Sequence, residues 1–257
     1  MSEITLPTAK IKASHQNPKN LIIFSKPKAG KTKLCAELPN WLLLDLEDGS
    51  DYVDALKLKA TSVEEITKIG KEIIKAGKPY DGIVVDTVTG LEQMCIPYAE
   101  TLYSRTPMGK NWFKKKDGAL TTDSGKVIYG NILNLPNGAG YQYLREAILK
   151  MIDFIKTLAP HIILLGHVKD TVLEKDGAEV NCMELDLSGK IKRIISSQSD
   201  AIAYLHRGKN NQNILSFKTQ DDLSCGARPD HLKNQEFIIS EIVDDQFITH
   251  WDKIYIQ

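Results

Sequence analysis

Gly30, Lys31 and Thr32 follow the turn Ser25-Lys-Pro-Lys-Ala29, which itself follows the apolar run Leu21-Ile-Ile-Phe24. A glycine that lets backbone approach closely, an ammonium that can sit between two phosphates and a hydroxyl that can take one position on Mg²⁺ are the parts needed to hold a nucleoside triphosphate. The spacing G-x-x-x-x-G-K-[ST] is met except at its first glycine, where Ser25 stands. A serine serves there if its φ stays negative. Ser25, Lys26, Pro27, Lys28, Ala29, Gly30, Lys31 and Thr32 are therefore expected to form a phosphate loop for ATP. Backbone N–H groups of residues 26 to 32 would wrap the β-phosphate while Lys26 and Lys28 add positive charge. The alternative is a lysine-rich solvated turn.

Carboxylates close the next apolar runs. Asp86 ends Gly82-Ile-Val-Val-Asp86 and is followed by Thr87, which suits an acid that holds Mg²⁺ through water together with Thr32. This places the phosphate loop on the neighbouring strand; otherwise Asp86 caps the next helix toward Leu91 and Glu92. Asp45 and Glu47 end Trp41-Leu-Leu-Leu-Asp-Leu46 and point the same way on a strand, so either can face the γ-phosphate. Glu47 lies further beyond the sheet and is the one expected to orient or deprotonate water, with Lys31 as its catalytic companion. A solvated acidic turn, Glu47-Asp48-Gly49, is the alternative. His167, in Gly166-His-Val-Lys169, ends a further run and is placed to donate to the γ-phosphate, or else is structural.

The elements that must hold these groups alternate. Strands are expected at 21–24, 41–46, 82–86 and 161–165, and helices at 31–38, from Ser62, and at 142–158. Ser62-Val-Glu-Glu65 is a capping box, with Val63, Ile66, Ile69, Ile73 and Ile74 on the core face of that helix. This order means an α/β fold with a mostly parallel central sheet flanked by helices. The segments 200–206, 213–219, 236–242 and 246–251 read as further C-terminal strands, partly antiparallel.

At 257 residues and 42% hydrophobic content the chain can bury a full core as one domain, 1–257. Thirty-three basic and thirty-three acidic residues cancel, so any nucleic-acid site must be a local patch. Cysteines 35, 95, 182 and 225 form no C-x-x-C pair, which argues against zinc and a disulfide framework and fits a reducing cytoplasm. No signal peptide and no membrane-length apolar run are evident.

Together these residues resemble the RecA-like P-loop ATPase core, in detail the phage-encoded nucleotide-binding proteins of the single-strand annealing and recombination group. The resemblance is carried by 25–32, Leu44-Asp-Leu-Glu47, Val84-Val-Asp-Thr87, Leu165-Gly-His167, Asp186-Leu-Ser-Gly-Lys190 and Ser199-Asp-Ala-Ile-Ala-Tyr-Leu205, and covers about residues 15 to 230. It implies that Glu47 activates water in Mg²⁺-dependent ATP hydrolysis and that 169–188, after the fourth core strand, is a DNA-binding loop. It also implies rings or filaments with a basic residue reaching in from the neighbour, for which Lys218 and Arg228 are candidates, so that a monomer is a weak ATPase. Single-stranded DNA and a single-strand binding protein are the implied partners, in the cytoplasm of a host cell.

Charge complicates the DNA assignment. Segment 169–188 holds Asp170, Glu174, Asp176, Glu179, Glu184 and Asp186 against Lys169 and Lys175, and within it 172–180 reads as a small hairpin turning at Asp176-Gly177. A better electrostatic match is Trp112, Phe113, Lys114, Lys115 and Lys116, with Arg105, Lys110 and Lys126, inside an expected mobile insertion at 97–141. The acidic loop leaves a second reading open, a nucleotide-dependent switch or loader acting on a protein partner without direct DNA binding.

Overall fold

The computed structural model describes residues 6–257 apart from 113, 117–118, 122–126, 129–131, 176–177 and 221–222, together with the side chains outside 111–131, 136 and 173–181. In chain order the elements are β1 (Asn20–Ser25), α1 (Lys31–Ala36), β2 (Trp41–Asp45), β3 (Lys57–Lys59), α2 (Val63–Lys75), β4 (Gly82–Asp86), α3 (Val88–Ser104) and α4 (Pro107–Trp112). A small antiparallel sheet follows, β5 (Lys114–Lys116), β6 (Ala119–Thr121) and β7 (Val127–Ile128). Then come α5 (Ala139–Lys156), β8 (His161–Lys175), β9 (Ala178–Leu185), α6 (Lys190–Gln198), β10 (Ala201–Arg207), β11 (Asn213–Ser216), β12 (Gly226–Ala227), β13 (Glu236–Val243) and β14 (Gln246–Thr249).

The main sheet runs β14-β13-β11-β10-β1-β8-β4-β2-β3, with β9 paired to β8 and β12 to β10. From β10 to β3 every pairing is parallel, while β11, β13 and β14 add antiparallel strands, as the sequence predicts for the fold class. The central strands are apolar throughout because both faces are covered. Ile22, Phe24, Leu44, Val85 and Leu164 face α2, α3, α5 and α6. Their alternates Leu21, Ile23, Leu43, Val84 and Ile163 face α1 and the C-terminal residues Trp251 and Ile254.

Several expectations are corrected in detail. The strand carrying Asp86 does not neighbour the phosphate-loop strand: β8 lies between β1 and β4. Ile74 is not on the core face of α2 but 47% exposed. In the capping box, Ser62 Oγ accepts from Glu65 N at 3.2 Å, while the Glu65 carboxylate reaches back to Thr61 N at 2.7 Å rather than to Ser62. The segment from 97 begins inside α3, where Ala99 and Tyr103 are buried, so the irregular stretch starts after Ser104. The hairpin expected at 172–180 is longer, pairing Val168 with Leu185 through Lys175 with Ala178, and its turn, 176–177, lies outside the described residues. Among the described residues, no helix is long and apolar enough to cross a membrane.

Candidate nucleotide-hydrolysis site

Strand register brings the polar ends together. Ser25 pairs with His167, Asp86 with Leu165, and Asp45 with Asp86, so the ends of β1, β4 and β2 and the point where β8 parts from β1 form one edge. Open parallel sheets bind ligands beyond this edge. A cleft of about 420 Å³ lies there, lined by residues 27–33 and by Asp45, Glu47, Asp86, Thr87 and His167. Lys26 is not among its lining residues.

The loop has the backbone of an anion site. Gly30 sits at φ 97° as N-cap of α1, a conformation that favours glycine, and Lys28 also takes a left-handed φ of 61°. Ser25 is not among the positive-φ residues, which meets the condition for replacing the usual glycine. Its hydroxyl donates to Lys26 O at 2.9 Å and accepts from Lys31 Nζ at 2.9 Å, so Ser25 holds the loop lysine. Burial lowers the Lys31 pKa, opposed by the negative charges of Asp86 and Glu47.

Thr32 Oγ1 donates to Asp86 Oδ2 at 2.6 Å. This contact spans the intervening strand: β1 and β4 are two strand spacings apart, roughly 10 Å, and the start of α1 crosses above β8 to close the gap. Burial raises the Asp86 pKa, against the Thr32 hydrogen bond and the Lys31 charge. A hydroxyl and a carboxylate side by side are hard oxygen donors, a pair that fits Mg²⁺ held partly by protein and partly by water and phosphate. Asp86 does not cap the next helix; Thr87 does, accepting from Gly90 N at 3.0 Å.

Asp45 and Glu47 are separated by their partners. Asp45 is 1% exposed and accepts from Glu47 N and Gly49 N on one oxygen and from Ser50 N and Ser50 Oγ on the other, at 2.6–3.2 Å. Burial pushes its pKa up, but these hydrogen bonds outweigh burial and hold it below the usual carboxylate value. Glu47 instead faces the cleft, where Thr87 Oγ1 donates to its Oε1 at 2.5 Å and His167 Nε2 lies 3.2 Å from its Oε2. His167 Nδ1 is buried with no hydrogen-bond partner among the described residues.

The structure thus gathers Lys31, Thr32, Glu47, Asp86 and His167 around one cleft. It does not bring Lys218 or Arg228 there. Lys218 pairs with Glu236, and Arg228 pairs with Asp200 at 3.3 Å and donates to Ser197 O at 2.7 Å, toward the opposite end of β10. Trp112 and Lys114–Lys116 lie in α4 and β5 by backbone only; their side chains, and Phe113 entirely, fall outside the described residues. Two residues take parts that the sequence does not by itself reveal: Thr87 as partner of Glu47, and Asp45 as anchor of the turn that carries Glu47. The Asp-x-Glu-Asp-Gly-Ser run, a carboxylate followed by a short Gly-Ser turn, was the available signal for the second.

Residues 17–228 match the model of the AAA domain. The chain belongs to the AAA domain family. The match spans every strand-end residue of the cleft and supports nucleotide binding and ATPase activity for this AAA domain. None of the curated proteins compared with it matches.

Proposed function

We propose that this AAA domain hydrolyses Mg²⁺-ATP with Glu47 as the water-activating carboxylate, and that it is RecA-like in acting on single-stranded DNA as an assembly in phage recombination or annealing. The observation that carries the hydrolytic part is the Glu47 carboxylate, which lines the cleft that also holds Lys31, Thr32 and Asp86 and is bound there by the Thr87 and His167 side chains.

Lys31 leaves Ser25 for the β- and γ-phosphates, and the backbone N–H groups of the loop take the β-phosphate. Thr32 and Asp86 would hold a Mg²⁺ ion, which would supply positive charge against that developing on the phosphate oxygens. Glu47 gives up its bond to Thr87 or His167 to accept from the attacking water, and His167 then donates to the γ-phosphate. The water oxygen bonds to the γ-phosphorus as the bond to the β,γ-bridging oxygen breaks, releasing ADP and phosphate, with the water proton passing to Glu47.

One feature supports the DNA part: the β8–β9 hairpin leaves the sheet directly after His167, where the resemblance implies a DNA-binding loop. Self-association would supply a trans cation from Lys218 or Arg228, each of which must first leave its partner within the chain. A second reading, a nucleotide-dependent switch on a protein partner, is favoured by Asp170, Glu184 and Asp186 along the same hairpin and its exit. The discriminating experiment is ATP turnover at low salt with and without single-stranded DNA. The recombination reading expects stimulation that fades as salt rises; no stimulation at low salt contradicts it and leaves the switch.

A further inference from the structure

The turn that presents Glu47 is held from two sides. Asp45 holds its N–H groups from inside, as described. From outside it is held by β3, a three-residue strand at the edge of the sheet. Residues 57 and 59 lie on one side of this strand and Leu58 on the other, where it borders a groove against α2. Lys57 Nζ donates to Ser50 O at 2.6 Å and to Val53 O at 2.9 Å, so one ammonium ties together both ends of the 3-10 turn Ser50–Tyr52. Ser50 is also the residue whose N–H and hydroxyl bind Asp45, and Val53 lines the nucleotide cleft. Lys59 pairs with Asp48 at 2.5 Å and Asp51 at 2.7 Å, but at exposed side chains, where ion pairs contribute little.

We propose that Lys57 is a positioning residue for ATP hydrolysis, fixing the 47–53 turn so that the Glu47 carboxylate is held at the attacking water. This rests on Glu47 acting as that carboxylate. An ammonium donating to two carbonyls of one turn removes freedom that Asp45 alone leaves, since Asp45 binds the N–H side and reaches no further than Ser50. β3 itself does not depend on the Lys57 side chain, because Leu43 N bonds Leu56 O at 2.8 Å and Ala60 N bonds Asp45 O at 3.0 Å through backbone. Loosening the turn therefore displaces Glu47 without unpairing the strand. The phosphate loop is carried on β1 and α1 and keeps its own geometry.

The test is a double-mutant cycle with Lys57→Met and Glu47→Gln, measuring ATP affinity by titration and hydrolysis under single-turnover conditions. Lys57→Met is expected to lower the rate ~10–100-fold, the range for a small misplacement of a catalytic group, with ATP affinity within about twofold of wild type. In the Glu47→Gln background it should change the rate no further, and Lys57→Arg should restore part of the wild-type rate. A wild-type rate for Lys57→Met beside an inactive Glu47→Gln overturns the positioning role alone. Affinity falling in step with rate, or an equal loss in the Glu47→Gln background, also overturns it, because Lys57 then acts on the fold at large. Full hydrolysis by Glu47→Gln overturns both this role and the catalytic reading beneath it. Should Lys57→Met aggregate, Lys57→Ala, which also removes the donor, carries the same comparison.

Discussion

At Asp45 the carboxylate accepts four hydrogen bonds from the turn that follows it, which leaves no oxygen free for phosphate or water. Its pKa is held low, so the linkage has a definite sign: the stabilisation is complete above the unfolded value, about 4, and is lost as pH falls through the lower folded value. Asp45→Asn should lower stability at neutral pH and flatten its decline below about pH 4, as read by denaturant midpoints across pH; an unchanged acid limb would remove Asp45 from the account. Ser25 has a similarly local role. With Ser25→Ala, Lys31 loses the acceptor that holds it, so the ligand-free protein should lose about 1 kcal/mol while ATP still raises Tm at least as much as in wild type. Loss of the ATP-induced rise would mean that the hydroxyl serves the nucleotide itself. The phosphate-loop residues were legible in the sequence because their chemistry is local. The division of labour between Asp45 and Glu47 was not, because it depends on which way a turn folds.

Among the elements, the short α1 leans on the C-terminus. Trp251 Nε1 donates to Leu34 O at 2.9 Å, satisfying a carbonyl near the end of this six-residue helix, and Lys33 lies 4.5 Å from the Phe247 ring centroid. Trp251→Phe loses the donor and part of the buried indole, so it should cost at least about 1–3 kcal/mol, the penalty of an unsatisfied buried carbonyl with a cavity added to it, seen as a lower denaturant midpoint with unchanged slope. At the hairpin root, a Cβ on Gly166 would meet Leu185 Cδ1 at 2.1 Å. Gly166→Ala should therefore destabilise by about 1–3 kcal/mol and, by shifting His167 next door, lower ATP turnover more than ATP binding. The long apolar strands and α2 could be read from periodicity. β3 was hidden in Lys57-Leu-Lys59, too short to show alternation, and α6 in a lysine-rich run whose apolar contribution to the core is only Ile191 and Ile195.

Over the whole molecule, sequence order and spatial order part company. The chain makes β1, β2 and β4 before β8, yet β8 inserts between β1 and β4, and that insertion sets Ser25 opposite His167 and puts Asp86 one strand further out. Periodicity assigns strands but not their neighbours, so the list of strand-end residues was legible while the contacts Thr32–Asp86, Thr87–Glu47 and His167–Glu47 were not. Those three contacts join four segments, 25–32, 45–50, 86–87 and 167, into one cleft of this AAA domain. The most direct measurement is ATP binding and ATP turnover of Glu47→Gln beside wild type. Binding within about twofold and turnover lowered by ~10²–10⁴-fold, the range for loss of a general base, is the predicted result; turnover close to wild type would contradict the assignment of Glu47 as the water-activating carboxylate.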